Sequence, residues 1–159
     1  MSVIEAMKVV ARHQKGDLPI QMVPLANDLG IEVYRVPNWP DTLSGMISKS
    51  NTSASGFDIF VNAAHPETRR RFTIAHECAH AILHPDLIGD GITDDALYRS
   101  GLSNRVEAQA NRLAADILMP RDRLNELIDH GITSVPQLAR MFGVSEQAMA
   151  IRVGAPQDV

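Results

Sequence analysis

A chain of 159 residues with 45% hydrophobic and 21% charged residues has the balance of an ordinary globular protein, long enough to bury a core without covalent staples. Its formal charge of -4 argues against a general electrostatic hold on nucleic acid or anionic membrane, and its single cysteine, Cys78, excludes an internal disulfide framework and an all-cysteine metal site. No run approaches the roughly 18 apolar residues of a membrane span, and Glu5 and Lys8 break the apolar stretch a signal peptide would need, so a reducing, cytoplasmic setting is expected.

Ser2 to Gln14 reads as an amphipathic helix, with Ser2 and Glu5 at capping-box spacing. Pro19 to Leu29 suggests a short second helix stopped by Gly30. Ile31 to Val36, Leu43 to Ser48 and Phe57 to Val61 read as strands, separated by a proline-flanked turn holding Trp39 and by a polar loop. Pro66 opens a strong helix that runs to about Leu83 and ends before Pro85. Asp86 to Gly101, with irregular Gly, Asp and Thr, is expected to be a long loop. Ser103 caps a second strong helix, Asn104 to Leu118, and Arg121 to His130 forms another before Gly131. A helical pair from Ser134 to Val153 closes the pattern, which is α+β overall.

The long helix carries His76-Glu77-Cys78-Ala79-His80, an H-E-x-x-H motif. One helical turn separates the two histidines, so both imidazoles project from one face and suit a tetrahedral zinc ion. Glu77 lies about 100° around the helix. From there it reaches a water beside the ion as general base without taking a ligand position. Zinc lowers the pKa of such a water to roughly 7. Cys78 falls on the opposite side and reads as a small buried hydrophobe.

A catalytic zinc needs a third protein ligand and one open position. His84 extends the stripe one turn further, but three ligands in a row on a straight helix cannot easily surround one ion. It reads better as a helix C-terminal cap. Glu107, on the next strong helix, is the better candidate. The rest of that helix is too apolar to be solvated, so a glutamate and Asn111 at helical spacing call for partners. Asn111 would hydrogen-bond a ligating histidine and fix its ring.

Val61-Asn62 and Arg69 through His80 to His84, then Glu107 through Ala115 with Leu118-Met119-Pro120, then Leu138-Ala139, Phe142 to Ser145 and Ala148 to Arg152, together with the Leu25 to Val36 helix–strand pattern, resemble the ImmA/IrrE family of metallopeptidases. The resemblance implies zinc on His76, His80 and Glu107, one ion per chain, with Glu77 as general base; manganese also suits these ligands. It implies a zincin-like domain over residues 1–130, with a small strand layer on the motif helix, followed by helix-turn-helix-like helices packed on it over 131–159. It further implies an endopeptidase that cleaves a partner helix-turn-helix repressor and relieves repression. Cys78 stands where the family often has Leu, and Leu113 where it often has Phe; both replacements are apolar. No counterpart is expected of the sensor domain of longer IrrE-type members.

In the closing pair, Gly143 is placed to make the turn and Ser145 to cap the second helix. That helix offers one basic residue, Arg152, and one acidic one, Glu146. A groove-reading helix brings more positive charge, so packing or partner binding is expected rather than direct DNA contact. Arg69, Arg70 and Arg71 form the dense basic run. They are expected to be solvated or salt-bridged, with substrate binding as the sharper alternative. Tyr98 is a candidate to stabilise the oxyanion of a tetrahedral intermediate. A second functional reading is a non-proteolytic module that binds a repressor or DNA through its last helices, its metal structural or sensory.

Overall fold

The computed structural model describes residues 1–89, 91–95 and 102–155. Its caps follow the local chemistry. Ser2 accepts from the Glu5 amide and starts α1 (Val3–Gln14). Gln21 rather than Pro19 opens α2 (Met22–Asp28), and Gly30, at φ +81°, turns the chain out of it. Three strands follow, β1 (Glu32–Val36), β2 (Leu43–Lys49) and β3 (Phe57–Asn62). The long helix α3 spans Glu67–Leu83, and a 3-10 turn Pro85–Leu87 follows it.

The loop expected after Asp86 is replaced in part by a strand: Gly91–Asp95 forms β4. It pairs antiparallel with β2, with a register shift between Leu43 and Gly45. In Gly-Ile-Thr-Asp-Asp two strand formers, Ile92 and Thr93, are outnumbered by glycine and aspartate, which are poor ones. Hydrogen bonds to β2 make it one.

The sheet order is β1-β3-β2-β4. β1 runs parallel to β3, whereas β2 is antiparallel to both of its neighbours. On one face, Ile47 of β2 and Ile59 of β3 are register partners, as are Gly45 and Val61. Ile47, Ile59 and Val61 are buried in the common core with Ile74 and Cys78 of α3. The alternation that predicts the strands therefore also selects the face that packs on α3.

Ser103 accepts from the Val106 amide and begins α4 (Asn104–Leu118). Ala75 and Ala79 of α3 and Ala110 and Ala114 of α4 are buried, which lets the two helices approach closely. α5 (Arg121–Asp129), α6 (Val135–Phe142) and α7 (Glu146–Val153) complete the fold. Leu138, Phe142 and Met149 join the same core as the sheet. No helix among the described residues is long and apolar enough to cross a membrane.

Two arginines anchor the last helices. Arg71 of α3 is buried and donates to three backbone carbonyls: Ile20 at 2.6 Å, Gly143 at 3.0 Å and Phe142 at 3.3 Å. Burial lowers its pKa, against the pull of Glu67. A guanidinium stays charged all the same, so it caps the C-terminal carbonyls of α6 with a full charge. Arg152 of α7 donates to the Met119 carbonyl at 2.9 and 3.1 Å and pairs with Asp116 at 2.9 Å.

Gly143, at φ +65°, makes the α6–α7 turn, and Ser145 caps α7. A Cβ on Gly143 would lie 2.6 Å from Arg71 Nε. Gly143→Ala is therefore expected to cost at least about 1–2 kcal/mol through left-handed strain and displacement of the arginine. Thermal unfolding would show this as a Tm several degrees lower; an unchanged Tm would contradict this account of the turn.

Candidate metal centre

α3 and α4 face each other with their polar residues inward. His76, Glu77, His80, His84 and Glu107 are all buried. His76 Nε2 and His80 Nε2 lie 3.1 Å apart. Glu107 Oε2 is 3.3 Å from the first nitrogen and Glu107 Oε1 is 3.0 Å from the second. One donor atom from each of the three residues fits within a 4.8 Å span. Tetrahedral zinc with bonds near 2.0–2.1 Å spaces its ligand atoms about 3.3 Å apart. The three side chains thus have both the donor chemistry and the spacing for a divalent ion.

The outer ring nitrogens support the same arrangement. His76 Nδ1 lies 2.8 Å from Asn111 Oδ1. An amide oxygen only accepts, so Nδ1 carries the proton and leaves the Nε2 lone pair facing Glu107. Asn111 thus has the partner that its place on an apolar helix requires.

Glu77 is fully buried next to this cluster, with Oε1 3.9 Å from His76 Nε2. The backbone of β2 comes close to it. A Cβ on Gly45 would collide with Thr73 Cγ2 and reach 3.9 Å from Glu77 Cγ. Only glycine lets β2 pass this close to α3. β4 pairs with β2 at Gly45 through Asp94, so the outer strand lies next to the strand that approaches Glu77.

The start of α3 is fixed by polar side chains. Asn62 Nδ2 donates to the Pro40 and Leu43 carbonyls, and its Oδ1 accepts from the Ala64 amide. His65 Nε2 sits 2.8 Å from the Asp41 carbonyl. Arg70 donates to the His65 carbonyl and Arg69 to Ser44 Oγ. Each arginine of the basic run thus also acts as a brace: Arg71 is buried, while Arg69 and Arg70 stay half-buried, partly in contact with solvent as the sequence suggested. Sequence reading missed this because carbonyl acceptors leave no trace in side-chain spacing.

Cys78 is fully buried. Burial, with the Glu77 charge added, pushes its thiol up to about 12, so it stays protonated and inert. His84 sits at the C-cap of α3, its amide donating to the His80 carbonyl at 2.7 Å. Its ring does more than cap: it meets the Nδ1 edge of His80, a contact that spacing alone did not reveal. Tyr98 lies outside the described residues.

The model of the peptidase M78 family, described as an IrrE N-terminal-like domain, matches residues 26–153. The chain belongs to this peptidase family. The chain is similar to the radiation response metalloprotease IrrE of Deinococcus radiodurans, at 40% identity over 73 residues, which covers 45% of this chain and 22% of that protein. It is also similar to the radiation response metalloprotease IrrE of Deinococcus deserti, at 34% identity over 107 residues, or 62% of this chain and 37% of that one. A solved Mycobacterium tuberculosis transcriptional regulator shares the fold, with a TM-score of 0.63 at 22% identity, over 98% of this chain and 47% of that one. This M78 chain therefore spans less than half the length of each of these proteins. Membership in a metallopeptidase family agrees with a buried His-His-Glu cluster able to hold a metal ion.

Proposed function

We infer that this chain is a zinc-dependent endopeptidase of the zincin type that cleaves a helix-turn-helix transcription repressor and so relieves repression. The observation that carries the reading is the convergence of His76, His80 and Glu107 donors within 4.8 Å beside the buried carboxylate of Glu77. Those three residues would hold the ion, zinc by ligand type and manganese as the alternative. When bound, the metal supplies Lewis acidity toward water and the scissile carbonyl.

The chain's own residues supply the rest. Glu77 takes a proton from the attacking water through a carboxylate oxygen and returns it to the departing amine nitrogen. Asn111 holds the His76 ring in one tautomer. β4 is an outer strand of the sheet, and its outer edge offers backbone groups for an extended substrate to pair with. Such pairing reads main chain rather than side chains, so choice of repressor falls to surfaces outside the cleft.

The closing helices support partner binding more than DNA reading. Arg152, the one basic residue of α7, is committed to Met119 and Asp116 and is not available to phosphates. The Gly143 turn and the serine caps of α6 and α7 support a helix-turn-helix-like reading of the pair. The name of the solved neighbour, a transcriptional regulator, supports a place in transcription control.

Purified protein supplied with zinc is expected to cut a cognate helix-turn-helix repressor at a defined bond. Mass spectrometry would show one new N-terminus, absent when a chelator is added. Binding of every candidate repressor without any cut would overturn the enzymatic reading in favour of the regulatory module.

A further inference from the structure

We propose that His84 and Gln109 form a directional hydrogen-bond relay that fixes the tautomer and orientation of His80 for metal binding. The inference rests on the metal reading of His76, His80 and Glu107 given above. His80 Nδ1 lies 3.1 Å from His84 Nδ1, and His84 Nε2 lies 2.8 Å from Gln109 Oε1. His80 is fully buried and His84 is 8% exposed, so the contact between the two rings is shielded from water.

Two neutral imidazoles that face each other through their Nδ1 atoms have one proton between them. The direction of the chain decides which ring holds it. Gln109 Oε1 can only accept, so His84 carries its proton on Nε2 and presents a lone pair at Nδ1. His80 must then donate from Nδ1, which leaves its Nε2 lone pair directed at His76 and Glu107. Running the chain in reverse would put the His80 proton on Nε2, where it blocks a metal. The polarity of one side chain on α4 thus selects the binding-competent form of a ligand on α3.

The backbone explains why His84 is placed for this task. It leaves helical geometry at the C-cap, with φ -131° and ψ 41°. Its ring tilts 52° from that of His80 at a centroid distance of 5.3 Å. It therefore lies against the Nδ1 edge of His80, while the Nε2 edge faces the donor cluster. His84 is a positioning residue and not a ligand.

Cobalt(II) serves as the probe, with affinity measured by chelator competition and geometry by the visible d–d spectrum. His84→Leu removes the acceptor and is expected to weaken cobalt binding about 10- to 100-fold. His84→Asn keeps an acceptor at the Nδ1 position and is expected to restore affinity to within about threefold of wild type, with unchanged band positions. Gln109→Glu, acceptor only, should bind as wild type does or more tightly. Gln109→Lys, donor only, should weaken binding about tenfold. In a His84→Leu background the difference between the two Gln109 variants should collapse.

Equal affinity in wild type and His84→Leu overturns the relay alone. A changed cobalt spectrum in His84→Asn makes His84 a ligand and also overturns it. A persistent difference between the Gln109 variants without His84 assigns their effect to through-space charge, and the relay is overturned in that case too. If wild type and Glu107→Ala both fail to bind cobalt, the metal reading itself falls, and the relay with it.

Discussion

Glu77→Gln is expected to lower turnover of a cleavable repressor by about 100- to 10,000-fold, the range for losing a general base. That corresponds to about 3–5 kcal/mol of transition-state stabilisation. Glutamine keeps the shape of glutamate and loses only the capacity to take a proton at the carboxylate. Glu77 stands 3.9 Å from His76 Nε2, beside the donor set rather than within it. Metal content and melting profile should therefore stay near wild type, and repressor binding should persist. Single-turnover cleavage of purified repressor checks the rate. A variant within about tenfold of wild type would remove Glu77 from the proton-transfer role. If repression is still relieved in cells while cleavage is lost, the biological role is that of the binding module.

Arg71→Leu is expected to be the most destabilising single change among the braces. Arg71 donates to the Ile20, Phe142 and Gly143 carbonyls from a buried position. Hydrogen bonds to a charged donor contribute about 1.5–3 kcal/mol each, and the orphaned acceptors would remain buried. Their contributions overlap, so a total of about 3–5 kcal/mol is expected. That is a large share of a typical domain stability, and Tm should fall by on the order of 10 °C. Arg71→Lys should recover only part of this, because an ammonium is a point donor and cannot span three carbonyls as a planar fork does. Chemical denaturation of the metal-free protein separates the effect from metal binding. A loss under about 1 kcal/mol would mean that α6 and α7 hold their place by apolar packing alone.

Much of the candidate site is legible in the sequence because helices repeat with a fixed period. His76 and His80 must share a face, and an apolar helix that carries Glu107 and Asn111 must turn them toward something. The fold brings these residues together, with Asn111 on His76 Nδ1. The strands Leu43–Lys49 and Phe57–Asn62 are equally legible, since alternation marks the face that packs on α3, and Glu32–Val36 is legible from its β-branched alternation alone.

What escapes the sequence is whatever depends on a partner far along the chain. β4 is a strand because β2 is beside it. Arg71 looks like a surface charge until the carbonyls of Phe142 and Gly143 arrive from 71 and 72 residues away. Gly45 looks like any glycine in a strand, yet the closeness of β2 to Glu77 depends on it. His84 reads as a cap by spacing, and only the arrival of Gln109 from α4 gives its ring a direction.

The central claim is that His76, His80 and Glu107 hold one metal ion. Its most direct test is metal content, measured by elemental analysis on wild type and Glu107→Ala purified without added metal and again after zinc is offered. The expected result is about one zinc per wild-type chain, with affinity in the variant reduced so far that the ion is lost on desalting. A metal-free wild type after zinc is offered, or a Glu107→Ala chain that keeps its ion as tightly as wild type, would contradict the site.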